Sequence, residues 1–225
     1  MRERLIAVAH GTASAAGRAT VEHLIAAVRA ARPDVAVELC FLDVLAPRLP
    51  QTLADLDGAP AVVVPVLLST GYHVRSDIPS AVAAHPEMRV ARHLGPHPLL
   101  TDVLVDRLAP LRGDPASVVL VGAGSSRAEA AGELDGAAQL LAQRVGLSVT
   151  TATMADPLRE VLAKAPQPLH VATYLLAPGT FTDTLQAAAT GVDGVQVAAP
   201  LGAHPAVVEL VWRRYDECVG APRVV

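Results

Sequence analysis

The stretch Ala61-Val62-Val63-Val64-Pro65-Val66-Leu67-Leu68-Ser69-Thr70-Gly71-Tyr72-His73-Val74-Arg75-Ser76-Asp77-Ile78-Pro79 decides how the chain folds. It opens as an apolar, β-branched run over 61–68, passes through a Ser-Thr-Gly loop and delivers a histidine ahead of a helical pattern over 76–84. A strand with no polar alternation is one buried on both faces, as in a parallel sheet covered by helices. Leu5-Ile6-Ala7-Val8-Ala9 does the same at the N-terminus and runs straight into His10-Gly11-Thr12. Two buried strands therefore end in histidines.

Between them the chain alternates strand and helix. Val21, Leu24, Ile25 and Val28 recur at i, i+3, i+4 and i+7, one face of a helix that Arg32-Pro33-Asp34 stops. A second strand is expected over 35–41, a short helix from Pro47 to near Gly58 and a fourth strand over 88–94. Gly95-Pro96-His97-Pro98 then starts a helix whose Leu100, Val103, Leu104 and Leu108 share a face.

After the turn-rich break Arg112-Gly113-Asp114-Pro115 the pattern restarts. Residues 117–126 echo 5–14, Met154-Ala155-Asp156-Pro157 echoes Val44-Leu45-Ala46-Pro47, residues 174–181 echo 66–73 and Leu201-Gly202-Ala203-His204-Pro205 echoes 94–98. The offset drifts slowly, from His10 over Ala123 to His97 over His204, as in a duplicated domain that has shed loop residues. The expected architecture is α/β: two similar lobes, 1–113 and 114–225, each a four-stranded parallel sheet flanked by helices.

Composition agrees. The 225 residues are 52% hydrophobic and 18% charged, enough for a core and too apolar for disorder. A net charge of −4 offers no basic field for nucleic acid. Cys40 and Cys218 make no metal-knuckle spacing, and no apolar run reaches the roughly 18 residues of a spanning helix, so a cytoplasmic protein without membrane or nucleic-acid partners is expected.

The duplication also separates scaffold from chemistry. His10 faces Ala123, His73 faces Phe181 and Asp43 faces Thr153, so the groups able to hold a metal occur in one repeat only. His97 and His204 recur in both within Gly-x-His-Pro, which points to a structural task at a helix start. His23, His85, His93 and His170 read as solvated or core-satisfied, and Cys40 as a small core residue. If the second and third strands flank the first, Asp43, His10 and His73 leave the carboxyl ends of neighbouring strands about 4.8 Å apart, where open α/β sheets bind ligands. Two imidazoles and a carboxylate suit Fe²⁺, Co²⁺, Ni²⁺ or Zn²⁺ and do not suit Mg²⁺. Asp43 reads equally as a helix cap or solvated loop residue.

Ala9-His10-Gly11-Thr12, Phe41-Leu42-Asp43-x-x-Ala46-Pro47, Gly71-Tyr72-His73-x-x-x-Asp77-Ile78-Pro79 and Leu94-Gly95-Pro96-His97-Pro98 together resemble the class II chelatases, the sirohydrochlorin ferrochelatases and cobaltochelatases, in their long two-lobed form. The resemblance implies insertion of Fe²⁺, Co²⁺ or Ni²⁺ into sirohydrochlorin or a related tetrapyrrole in a cleft that the second, degenerate lobe completes. It makes His10 and His73 the catalytic and metal-binding pair, with Asp43, where the family has Glu, as a third ligand or neighbouring base. The substrate's carboxylates would be received by Gly11, Thr12, Ser14, Ser69, Thr70, Gly71, Arg75 and Ser125, on turns at helix N-termini that favour anions. No phosphate-binding glycine loop occurs, so no nucleotide is expected. The paired lobes suggest a monomer. The competing readings are a non-catalytic tetrapyrrole or metal carrier on this scaffold, and a nucleotide-binding doubly wound protein, which the His-Gly-Thr loop disfavours.

Overall fold

A computed structural model describes residues 2–71, 73–125 and 128–221, with the side chains of His73, Val74 and Ala128 outside that description. The first repeat runs β1 (Arg4–Ala9), α1 (Ala15–Ala31), β2 (Val37–Phe41), α2 (Leu49–Asp55), β3 (Ala61–Pro65), a π-helical turn (His73–Asp77), α3 (Ile78–Val82), β4 (Met88–Val90) and α4 (Pro98–Leu108). The second runs β5 (Ser117–Gly122), α5 (Ala128–Val145), β6 (Val149–Thr153), α6 (Leu158–Lys164), β7 (Leu169–Tyr174), α7 (Thr180–Ala189), β8 (Val195–Val197) and α8 (Pro205–Gly220). Both sheets are parallel, ordered β2-β1-β3-β4 and β6-β5-β7-β8. The duplicated α/β architecture expected from the sequence is the one observed.

The strands are buried as their composition requires. Leu5, Ile6, Ala7, Val8 and Val62, Val63, Val64 have no exposed surface. Ile6, Val8, Cys40 and Val63 pack with Leu49, Leu53 and Ile78 under α2 and α3. Val119, Val121, Val171, Leu158, Leu162 and Leu185 repeat this under α6 and α7. Burial pushes the Cys40 thiol up to about 12, which leaves it an inert core residue. No helix among the described residues is long and apolar enough to cross a membrane.

β3 stops at Pro65, three residues short of the expected 68. The Val66 amide still donates to the Val8 carbonyl (2.8 Å), so residues of Pro65's parity turn toward β4, whose pairing has ended at Val63 and Val90. A proline there costs no ladder bond and ends the strand. β2, expected from 35, starts at Val37, and β4, expected to run to 94, ends at Val90. The helix expected from Pro47 begins at Leu49, because the Pro47 carbonyl instead accepts the Phe41 amide (2.9 Å).

The chain divides into units that differ from the expected 1–113 and 114–225. One unit is Met1–Leu94 with Ala203–Val225, the other Gly95–Gly202. The repeats exchange their last helices. α4 packs on β7 and α5, and α8 packs on β3 and α1. The first unit holds α8 through buried Val207, Leu210, Val211, Trp212 and Tyr215. Trp212 donates from its indole to the Val28 carbonyl (3.1 Å) and lies under the Arg32 guanidinium, and Tyr215 donates to the Glu3 carbonyl (2.6 Å).

Candidate active site at the strand exits of the first unit

The carboxyl ends of β2, β1 and β3 lie side by side, with Ala9 opposite Phe41 and Val8 opposite Pro65. The pairing of β1 with β2 continues past the strands. Leu42 donates its amide to Ala9 (3.0 Å) and Asp43 donates to the His10 carbonyl (2.9 Å). His10, exposed, and Asp43, exposed, are thus stitched together through their main chains. Gly11 completes the seam. It has φ +97° and sits so close to Asp43 that a Cβ would overlap the Asp43 carbonyl oxygen. Only glycine fits, for backbone angle and for space.

The Asp43 carboxylate closes its own loop. Its Oδ1 accepts the Val44 amide (2.8 Å) and pairs with Arg48 at 3.2 Å. The Val44 amide, then Arg48 and His10, hold this carboxyl below the usual range. Val44 itself has φ +65°, uncommon for a β-branched residue.

Thr12 and Ser14 serve α1. The Thr12 hydroxyl accepts the Ser14 amide (3.1 Å), and the Ser14 hydroxyl accepts the Gly17 amide (3.2 Å) as the helix N-cap. Both keep a hydroxyl proton to donate. Beyond β3, Ser69 is half-buried and Thr70 is buried. The Gly71 carbonyl accepts the Arg75 amide (3.3 Å) and opens the π-helical turn that carries the His73 backbone and the exposed Arg75. Among the described residues nothing stands within 4 Å of where a Gly71 Cβ would be. The His73 side chain and Tyr72 lie outside the described residues, as does Ser126. Ser125 is exposed on the loop after β5. Among the described residues no three His, Cys, Asp or Glu side chains are grouped to hold an ion. The structure brings His10 and Asp43 onto one seam, with the loop to His73 leaving the adjacent strand.

His97 and His204 are helix caps, as their recurrence suggests. Their Nδ1 atoms accept the Leu99 and Ala206 amides at 3.1 and 3.2 Å, with Pro98 and Pro205 following at the first helical position. His23 is exposed, and His170 is buried with its Nε2 3.3 Å from the Arg112 carbonyl. Arg48 escaped the sequence reading. Its signal was a cation five residues past an acidic strand exit, in a loop that Pro47 bends back.

Known proteins resemble this chain along its length. The CbiX family model matches residues 4–111 and again 117–218. The sirohydrochlorin cobaltochelatase of Methanococcoides burtonii is 27% identical over 120 residues, 46% of this chain and 92% of that protein. The sirohydrochlorin chelatase SirB of Bacillus subtilis subspecies spizizenii, solved with cobalt, superposes with a TM-score of 0.84 at 22% identity over 99% of this chain and 97% of its own. SirB from Bacillus subtilis with Fe³⁺ follows at 0.80 and 21% identity, over 98% and 96%. At such identity these structures establish the shared fold, whereas the family model spans both repeats almost end to end. The chain belongs to the CbiX family.

Proposed function

We propose that this protein inserts a divalent cation, Co²⁺ or Fe²⁺, into sirohydrochlorin without a nucleotide, using His10 and His73. One observation carries the reading. Histidines follow β1 and β3 in the first repeat, and Ala123 and Phe181 follow their counterparts in the second, although both repeats keep the same sheet. Family membership and the cobaltochelatase name of the Methanococcoides relative support it.

Insertion replaces two pyrrole protons of the macrocycle by one M²⁺, so the products are the metallated ring and two protons. Neutral imidazoles hold the incoming ion and release it, and an imidazole freed of the ion accepts a pyrrole proton. Asp43 adds a negative charge bonded through the main chain to His10, which favours an arriving cation as ligand or as neighbour. The peripheral carboxylates of the substrate are taken by hydroxyl and amide donors of Gly11, Thr12, Ser14, Ser69, Thr70, Gly71 and Ser125 and by the Arg75 guanidinium.

The test is macrocycle absorbance with Co²⁺ or Fe²⁺ at limiting concentration. His10→Ala and His73→Ala are each expected to slow insertion by about a hundredfold or more, with melting temperatures near the parent's. Parent-like rates in both variants would falsify the assignment. A parent that binds the macrocycle without accelerating insertion is a carrier.

A further inference from the structure

Two arginines at matching positions of the repeats, Arg107 on α4 and Arg214 on α8, grip the exits of the fourth strands. The Arg214 side chain is 3% exposed. It donates Nε to the His93 carbonyl (3.0 Å), Nη2 to the Leu94 carbonyl (3.1 Å) and Nη1 to Glu217 (2.9 Å). Arg107 donates Nη2 to the Leu201 carbonyl (2.8 Å). In each unit the gripped residue holds the exit of the third strand in turn. The Leu94 amide donates to the Leu67 carbonyl (2.9 Å), and the Leu201 amide to the Leu175 carbonyl (2.9 Å). Guanidinium, fourth-strand exit and third-strand exit form one hydrogen-bonded line in both units.

The lines end differently. In the first unit the strand exit runs from Leu67 to the turn of His73; in the second it runs from Leu175 to Phe181. We propose that Arg214 is a positioning residue for metal insertion, a role that rests on the reading of His73 given above. It fixes the Leu94 peptide, which fixes Leu67, the root of the loop that presents His73. Arginine suits this because its planar fork spans two successive carbonyls, which a lysine ammonium cannot do in one geometry. Arg107 supplies a weaker, single-carbonyl form of the grip, its buried Nε without a partner among the described residues, where no histidine follows, and so serves as the internal reference for the fold's share of the effect.

The experiment compares Arg214→Lys and Arg107→Lys in the full chain by melting temperature, by calorimetric titration with Co²⁺ alone, and by kcat and KM for insertion. Both substitutions are expected to lower the melting temperature. Arg214→Lys alone is expected to lower Co²⁺ affinity and kcat by about tenfold, the usual cost of losing a group that orients a metal ligand, with KM for the macrocycle within about twofold of the parent's. Should Arg214→Lys fail to fold, Glu217→Gln removes the negative charge paired with one arm of the guanidinium, on a half-exposed partner, with an expected roughly two- to threefold loss in kcat. Equal losses in the Arg107 and Arg214 variants overturn the inference, because the grip then serves the fold alone. Parent-like kcat and Co²⁺ affinity in the Arg214 variant, or in Glu217→Gln if that is the one that folds, overturn it while leaving His73 in place. A His73→Ala protein that inserts metal at the parent's rate removes the reading beneath it as well.

Discussion

The loops after β2 and after β6 solve one closure problem in two ways. In the second repeat Asp156 accepts the Thr153 amide (2.7 Å) and hydroxyl (2.8 Å), and Gly124 rests on the Thr153 side chain. In the first, the carboxylate has moved three residues toward the strand, to Asp43, and Gly11 rests on a carbonyl that cannot yield. The next residue, Val44, is left-handed and 53% exposed, a backbone cost of about 1–2 kcal/mol, and Met154 in its place carries no such angle. A carboxylate therefore accepts a main-chain amide in this loop in both repeats. Setting it beside His10, at the expense of strain, is peculiar to the repeat that carries the histidines, and strain of this kind gathers at working sites.

The comparison between repeats can be broken most severely at the exchanged helix. Ending the chain after Gly202 leaves every strand in place and removes α8, whose Val207, Leu210, Val211, Trp212 and Tyr215 are buried in the first unit. At about 2 kcal/mol for each such side chain, the loss of roughly 10 kcal/mol matches the whole stability of a domain. Cooperative unfolding of the first unit is expected to vanish in calorimetry. The glycines sharpen the contrast at a smaller scale. Gly11→Ala should cost about 4 kcal/mol, since a Cβ would overlap the Asp43 carbonyl oxygen, and Gly124→Ala about 1–2 kcal/mol, since its left-handed backbone is strained but the Thr153 Cβ at 3.0 Å need give only slightly; urea denaturation measures both. His97→Ala and His204→Ala should each cost about 1 kcal/mol, and equal losses in melting temperature would confirm that these histidines cap helices in both repeats alike.

The smallest effect concerns pH. The folded-state pKa values of Asp43 and Asp156 are both lowered, by the Val44 amide and by the Thr153 hydroxyl and amide respectively. Their contribution is therefore complete above the unfolded carboxylate value of about 3.9 and is lost as pH falls through the lower folded values. Asp43→Asn and Asp156→Asn should each flatten the acid limb of the stability curve slightly, and a flattening by only one would end the equivalence of the two loops.

Much of this was legible beforehand because the signals were local. Val62-Val63-Val64 admits little but a buried strand, and His97-Pro98 and His204-Pro205 announce helix starts. The repeat itself marked His10 and His73 by what Ala123 and Phe181 lack. The exchange of α4 and α8 was not legible. An amphipathic helix records that it has a buried face and not which sheet covers it. The engagement of Thr12 and Ser14 in capping α1 and of Asp43 with Val44 was hidden for a related reason. A short polar side chain reads the same whether it serves a ligand or its own backbone.

The exchanged helices also set the order in which the molecule can be completed. The second unit is continuous in sequence from Gly95 to Gly202, whereas the first waits for contacts such as Tyr215 with Glu3 and Trp212 with Val28. Contacts so distant along the chain close slowly. On a ribosome, the half made first is the half finished last. Until α8 emerges, β3 and α1 lack their cover, and the nascent chain carries an apolar surface of the kind chaperones bind.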